Sequence, residues 1–248
     1  MVTRAESAAL TRRALLDAAA ELLDLGGPEA VTLREVGARA GVSRGAPYRH
    51  FTGKDSLLTA VATESWERIA DQVHALRTDP ALSASEKQRG ALRTLIGVGR
   101  DQPHLYQMLF RRPGHRPEDQ GEGIGRVRRQ LCGQAGGPRN GQTCDATGEQ
   151  AGGPGEGQAG GPVDGPIGDP AADRMRAAGR FQNEFLAVVA ELVGEENARH
   201  YGALLLTSAH GIADMELSGH LGAESLRATS DELVDTLVRL VGDAARTA

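Results

Sequence analysis

The stretch Thr32-Leu-Arg-Glu-Val-Gly-Ala-Arg-Ala-Gly-Val-Ser-Arg-Gly-Ala-Pro-Tyr-Arg-His-Phe-Thr-Gly-Lys-Asp-Ser-Leu58 decides how the chain folds. Thr32 with Glu35 three residues later has the pattern of a capping box, which satisfies free N–H groups at a helix start. Leu33, Val36 and Ala40 fall on one face of a short helix, and Gly41 supplies the left-handed residue that stops it. Ser43 is placed to cap a third helix running to about Phe51, with Val42 and Pro47 at the positions of a hydrophobic staple. Thr52-Gly-Lys-Asp55 reads as a further box. It opens a long helix with Leu58, Val61, Ser65, Ile69, Val73 and Leu76 on one stripe, closed by Pro80. Upstream, Ala14, Leu15, Ala18, Leu22 and Leu25 recur at helical spacing until Gly26-Gly27-Pro28. Two short helices joined at Gly41-Val42 make a helix-turn-helix.

In that arrangement the second helix enters a DNA major groove by its leading end, while the first crosses the backbone. Arg44 and Gly45 stand at that end. A guanidinium grips guanine O6 and N7 with two bonds, and a glycine allows close backbone approach. Tyr48, Arg49 and His50 follow with donors suited to phosphate oxygens. Lys54 and Thr32, each at a helix start, can hold further phosphates beside free N–H groups. Core packing competes with this role for Tyr48 and is the expectation for Phe51. A protein-contact use of the helical pair is the alternative from another class.

The whole string resembles the DNA-binding signature of TetR/AcrR-family transcriptional regulators. Gly-Val-Ser, Tyr-Arg-His-Phe and Lys-Asp-x-Leu all fall at the family's spacing, within roughly the first 60 residues. The resemblance implies an all-α homodimer with a DNA-binding domain over 1–55 and a ligand-binding and dimerisation domain over 56–248. It implies a repressor that binds a palindromic double-stranded operator and responds to a small-molecule effector, without a cofactor. The family's phosphate-contacting tyrosine, histidine and lysine match Tyr48, His50 and Lys54. Pro47 departs from the commonest pattern, which has an aliphatic residue there. A proline at that position loses one backbone bond and is expected to tilt or shorten the recognition helix. Farther on, the stretch Leu204-Leu-Leu-Thr-Ser-Ala-His-Gly-Ile-Ala-Asp-Met-Glu216 is similar to a subset of the family with a Trp-His-Gly-type motif. Only His210-Gly211 of that motif is kept.

Composition agrees with a helical chain. Of 248 residues, 40% are apolar and only 3% aromatic, with net charge -5. No apolar run approaches the roughly 18 residues of a membrane span, and Met1 to Leu10 lack an apolar signal core, so a cytoplasmic location is expected. Cys132 and Cys144 are too few for a four-ligand zinc site or a disulfide scaffold. Residues 1–60 hold eight basic and seven acidic side chains, so this end is +1 and the remainder -6. Such a small bias predicts weak, salt-sensitive non-specific DNA binding.

The segment 113–170 holds 17 Gly and 7 Pro and repeats Gln-Ala-Gly-Gly-Pro three times. It is expected to be a disordered low-complexity insertion with at most a short helix over 124–131. Ser83-x-x-Glu86 caps a middle helix reaching Arg100, followed by Pro103 to Phe110. Trp66, His104, Tyr106, Met108, Phe110, Phe181, Phe185, His210 and Met215 carry most of the large adaptable side chains and are the candidate ligand pocket. Plain core is the competing reading of each. Leu226, Leu233, Leu237 and Leu240 form one stripe at the chain end, with Val234, Val238 and Val241 beside it. Together with Leu204, Ser208 and Gly211 on a small-residue helix they are the candidate dimer interface. His210 and Asp214 share a helix face, where a His–Asp hydrogen bond is the expectation. No third partner at fixed spacing, nucleophile elbow or metal signature points to an enzyme or a metal site.

Overall fold

Residues 3–110, 169–222 and 226–247 are described by a computed structural model. The expectations for the insertion, including the helix over 124–131, therefore lie outside the described residues as far as 168. Among the described residues every regular element is a helix.

Helix α1 (Arg4–Ala30) starts on a Thr3–Glu6 capping box and breaks at Gly26 and Gly27, where Gly27 takes φ 68. The buried face is Leu15, Leu16, Ala19, Leu22 and Leu23, whereas Leu25 turns out to solvent. Helix α2 (Leu33–Arg39) forms half of its expected box: Thr32 Oγ1 accepts from the Glu35 N–H at 3.1 Å, without the return bond. Gly41, at φ 67, then reverses the chain.

Helix α3 spans only Ala46–His50, and Ser43 does not cap it. The Ser43 carbonyl takes the Ala46 N–H at 2.9 Å. Pro47 has no N–H to give that carbonyl the next, helical bond, so the regular helix starts late. Arg44 and Gly45 consequently lie in the turn ahead of it. Helix α4 (Lys54–Thr78) begins at Gly53, with no side-chain cap. The expected Thr52 box is absent because Thr52 sits one residue too early.

The rest is α5 (Ala84–Asp101), α6 (Pro103–Phe110), α7 (Pro170–Val193), α8 (Ala198–Leu217) and α9 (Ser230–Thr247). Both bonds of the Ser83–Glu86 box form. Helix α7 starts inside the expected insertion boundary, because Asp169 caps it from the Ala171 N–H and Pro170 occupies the first turn.

One buried cluster runs from Leu15, Val36 and Phe51 through Ile69 and Leu95 to Phe185, Leu205 and Val238. Helix α4 lies along α7, clasped by Glu184, which takes Arg77 Nε at 2.7 Å and faces His74 Nδ1 at 3.1 Å. These partners hold the Glu184 carboxyl below its ordinary range against the opposing effect of burial. Helix α6 docks on α1: the His104 ring packs so close to Gly27 that an added Cβ would lie 3.2 Å from its Nδ1. Beside it, Gln102 Nε2 donates to Asp24 at 3.1 Å.

Two interface expectations change here. Val234, Val238 and Val241 are buried in the core of their own chain, so that stripe is intramolecular packing. Leu226 precedes α9 rather than belonging to it.

Candidate nucleic-acid interface

The α2–α3 pair is locked by shape. A Cβ on Gly37 would lie 2.8 Å from Pro47 Cγ, so the two helices meet where α2 has no side chain. Ala46, Pro47 and Phe51 turn inward, and the outer face of α3 is left to Tyr48 and Arg49. Tyr48 is 61% exposed. Arg44, Tyr48 and Arg49 make no hydrogen bond or ion pair among the described residues, and Arg44 and Arg49 are exposed. An added Cβ on Gly45 would meet nothing within 4 Å, so the fold itself does not require glycine there. Ser43 is exposed and makes no side-chain bond.

The remaining candidates differ. His50 is half-buried, and burial, then Arg12 and Arg49, push its imidazole below the ordinary range. Near neutrality it is an uncharged ring, able to donate one N–H. Lys54 Nζ stands 3.6 Å from a Glu29 carboxylate that is 96% exposed. So exposed a pair is weak and leaves the ammonium able to exchange partners. Thr32 Oγ1 is engaged in capping but exposed. Two further cations were not singled out from the sequence. Arg34, exposed on α2, has no partner among the described residues. Arg12 lies 5.1 Å above the Phe51 ring and holds the end of α3 against α1. Helical phase alone shows Arg34 on the outer face, but nothing local signals the Arg12 contact.

The candidate pocket residues separate into groups. Trp66, Phe110, Phe181 and Phe185 wall a groove of about 680 Å³ between α4, α7 and α8. Trp66 and Phe110 meet edge to face at 5.2 Å, and Trp66 and Phe181 lie 5.1 Å apart. Behind Phe110, Tyr106 and His210 pack on its ring at 4.9 and 4.1 Å. The expected His210–Asp214 bond gives way to one between the Tyr106 hydroxyl and His210 Nδ1. Burial lowers His210 and raises Tyr106, so both stay neutral. His104, Met108 and Met215 lie away from the groove: His104 fills the α1 break, Met108 packs on the core and Met215 sits near the end of α8.

Residues 15–61 match the family model for bacterial regulatory proteins of the tetR family. This segment is therefore similar to the N-terminal domain of that family. Over 69 residues the chain is 39% identical to the HTH-type transcriptional regulator SrpR of Pseudomonas putida, covering 28% of this chain and 29% of that one. Over 58 residues it is 43% identical to the HTH-type transcriptional repressor KstR of Rhodococcus jostii RHA1, covering 23% and 27%. The matches thus span less than a third of either relative. Among solved structures, a protein of unknown function from Rhodococcus sp. RHA1 superposes with TM-score 0.58 at 18% identity, over 95% of this chain and 93% of that one. A TetR/AcrR-family transcriptional regulator from Thermobifida fusca YX-ER1 superposes with TM-score 0.52 at 16% identity, over 94% and 96%. At such identities the likeness is one of fold. That likeness of fold extends beyond the matching N-terminal segment. No described helix is long and apolar enough to cross a membrane.

Proposed function

We propose that the chain is a DNA-binding transcriptional regulator of the TetR type: a cytoplasmic homodimer that represses from a palindromic operator and is released by a small-molecule effector. The observation that carries this reading is the set of outward donors Arg44, Tyr48 and Arg49, unpartnered among the described residues, on one short helix and its leading turn. Arg44 reads base edges, and Tyr48, Arg49, His50, Lys54 and Thr32 hold phosphates on either side. One such helix covers half a site, so a two-fold dimer presents two, spaced by at least one helical turn of DNA.

Dimerisation is supported by apolar side chains left outside. Leu204 on α8 is 46% exposed and Leu240 on α9 is 60% exposed. Gly211 is exposed with nothing within 4 Å of an added Cβ, which leaves room for a second helix. Ser208, Leu233 and Leu237 are half-buried beside them. The aromatic groove supports an effector site, and the retained His210-Gly211 supports the Trp-His-Gly-type subset. An effector releases DNA only by binding one subunit arrangement more tightly than another.

Selection from a random duplex pool with the purified chain tests the reading. An inverted repeat should be enriched, and Arg44→Ala should enrich a looser sequence. Failure to enrich any duplex, as for a protein-contact module, overturns it. Leu204→Glu with Leu240→Glu should sediment as a folded monomer; an unchanged dimer removes those residues from the interface.

A further inference from the structure

We infer that the groove between α7 and α8 takes an amphipathic carboxylate, an anion whose apolar body lies on the Trp66 and Phe110 rings and whose charge meets Arg199. This deepens, and rests on, the effector-responsive reading above. The groove's wall is aromatic and apolar apart from Gln182, Asn183 and Arg199. Arg199 is the one charged residue on that wall and makes no ion pair or hydrogen bond among the described residues. Arg77, Lys87, Arg93 and Arg100, by contrast, each meet a carboxylate. It stands in the first turn of α8, whose start has no side-chain cap. The positive end of the helix dipole therefore adds to the guanidinium. Aromatic faces alone would also attract a cation, but an unpaired guanidinium at the rim repels one.

Small residues keep the groove open. Gly179 lines it, and a Cβ added there would meet nothing within 4 Å. Gly202 lets α8 approach Leu186 of α7, whose tip would lie 2.5 Å from an added Cβ. The volume of about 680 Å³ lies in the range of small-molecule sites.

Trp66 is the chain's single tryptophan, so its fluorescence reports on this groove alone. The full chain is titrated with decanoate and decyltrimethylammonium below their micelle concentrations and with decanol below its solubility limit. Decanoate should give a saturable change with a Kd about tenfold below that of decanol, the scale of one charge-assisted hydrogen bond. The ammonium should bind more weakly than either. Arg199→Gln should erase the preference for decanoate over decanol. Gly179→Leu adds a side chain where a Cβ meets nothing within 4 Å and should abolish saturation while the helical circular dichroism stays unchanged. No saturation by decanoate, tighter binding of the ammonium, an intact preference in Arg199→Gln, or an unchanged titration in folded Gly179→Leu would each overturn the inference. None of these readouts involves DNA. Their failure beside intact operator selection refutes the ligand class alone, and loss of operator selection beside intact saturation refutes the DNA reading alone.

Discussion

Around α3, Arg44 and Arg49 extend without a partner among the described residues, whereas along α5 Lys87, Arg89, Arg93 and Arg100 each meet a carboxylate from α7, α8 or α9. Both groups are cationic side chains on or beside helices, and the exposed pairs add little stability, about 0–1 kcal/mol each. What separates them is availability. A guanidinium already committed to a neighbouring helix fixes how that helix sits. An uncommitted one next to a tightly packed turn has no structural task, and its donors remain for a ligand. The same contrast runs through the aromatic residues: Phe185 is 1% exposed and Tyr48 is 61% exposed.

The sharpest test of that contrast is to truncate one ring on each side. Phe185→Ala should cost about 3–5 kcal/mol in urea denaturation, as expected for a large buried ring. Tyr48→Ala should stay within about 0.5 kcal/mol of the parent while weakening operator binding. A stability loss for Tyr48→Ala comparable to that of Phe185→Ala breaks the comparison. Gly37→Ala probes the seam between the two kinds of surface. Alanine normally stabilises a helix, yet here its Cβ would press on Pro47, so the thermal midpoint should fall by the equivalent of about 1–3 kcal/mol. A rise would mean that the α2–α3 contact is slack.

Arg44→Ala should lose about 1–3 kcal/mol of discrimination between the selected operator and a mismatch, with an unchanged melting temperature. Competition binding measures it, and unaltered discrimination removes Arg44 from base reading. Lys54→Ala should weaken all sequences alike and lower the slope of log K against log salt by about one. An unchanged slope would show that Lys54 stays with Glu29.

The smallest effect concerns acid. The folded His210 titrates below its ordinary value because burial disfavours the imidazolium. The unfolded chain therefore takes up the proton first as pH falls. Stability from this residue is present above the unfolded value of about 6.5 and declines as pH falls through the folded value. Melting curves between pH 7.5 and 5.5 should show a smaller acid loss in His210→Gln than in the parent. Equal losses would place the titration elsewhere, with His50 as the next residue to replace.

Much of this was legible in the string itself. The Ser83–Glu86 box, the break at Gly26-Gly27 and the left-handed Gly41 follow from bonds that span a few residues, and they form as read. Ser43 and Thr52 do not cap because the helices start one or two residues later, on Gly45 and Gly53 with no side-chain cap, and Pro47 removes the bond that would have favoured the earlier start of α3. The two stripes of α9 illustrate a different limit. Leucines and valines lie side by side along it, and helical phase does not say which stripe faces inward. Packing on the body of the chain buried Val234, Val238 and Val241 and left Leu240 outside.

Sequence alone determined the helical class, the helix-turn-helix and the identity of its outward donors, because caps, glycine conformations and 3.6-residue periodicity act over a single turn or two. Only the tertiary structure decided which aromatic rings share a wall, that His210 pairs with Tyr106 rather than Asp214, and that Arg199 meets no carboxylate among the described residues. Those outcomes depend on how separate helices come to rest against one another. Their partners lie up to a hundred residues or so away along the chain, where no local rule reaches.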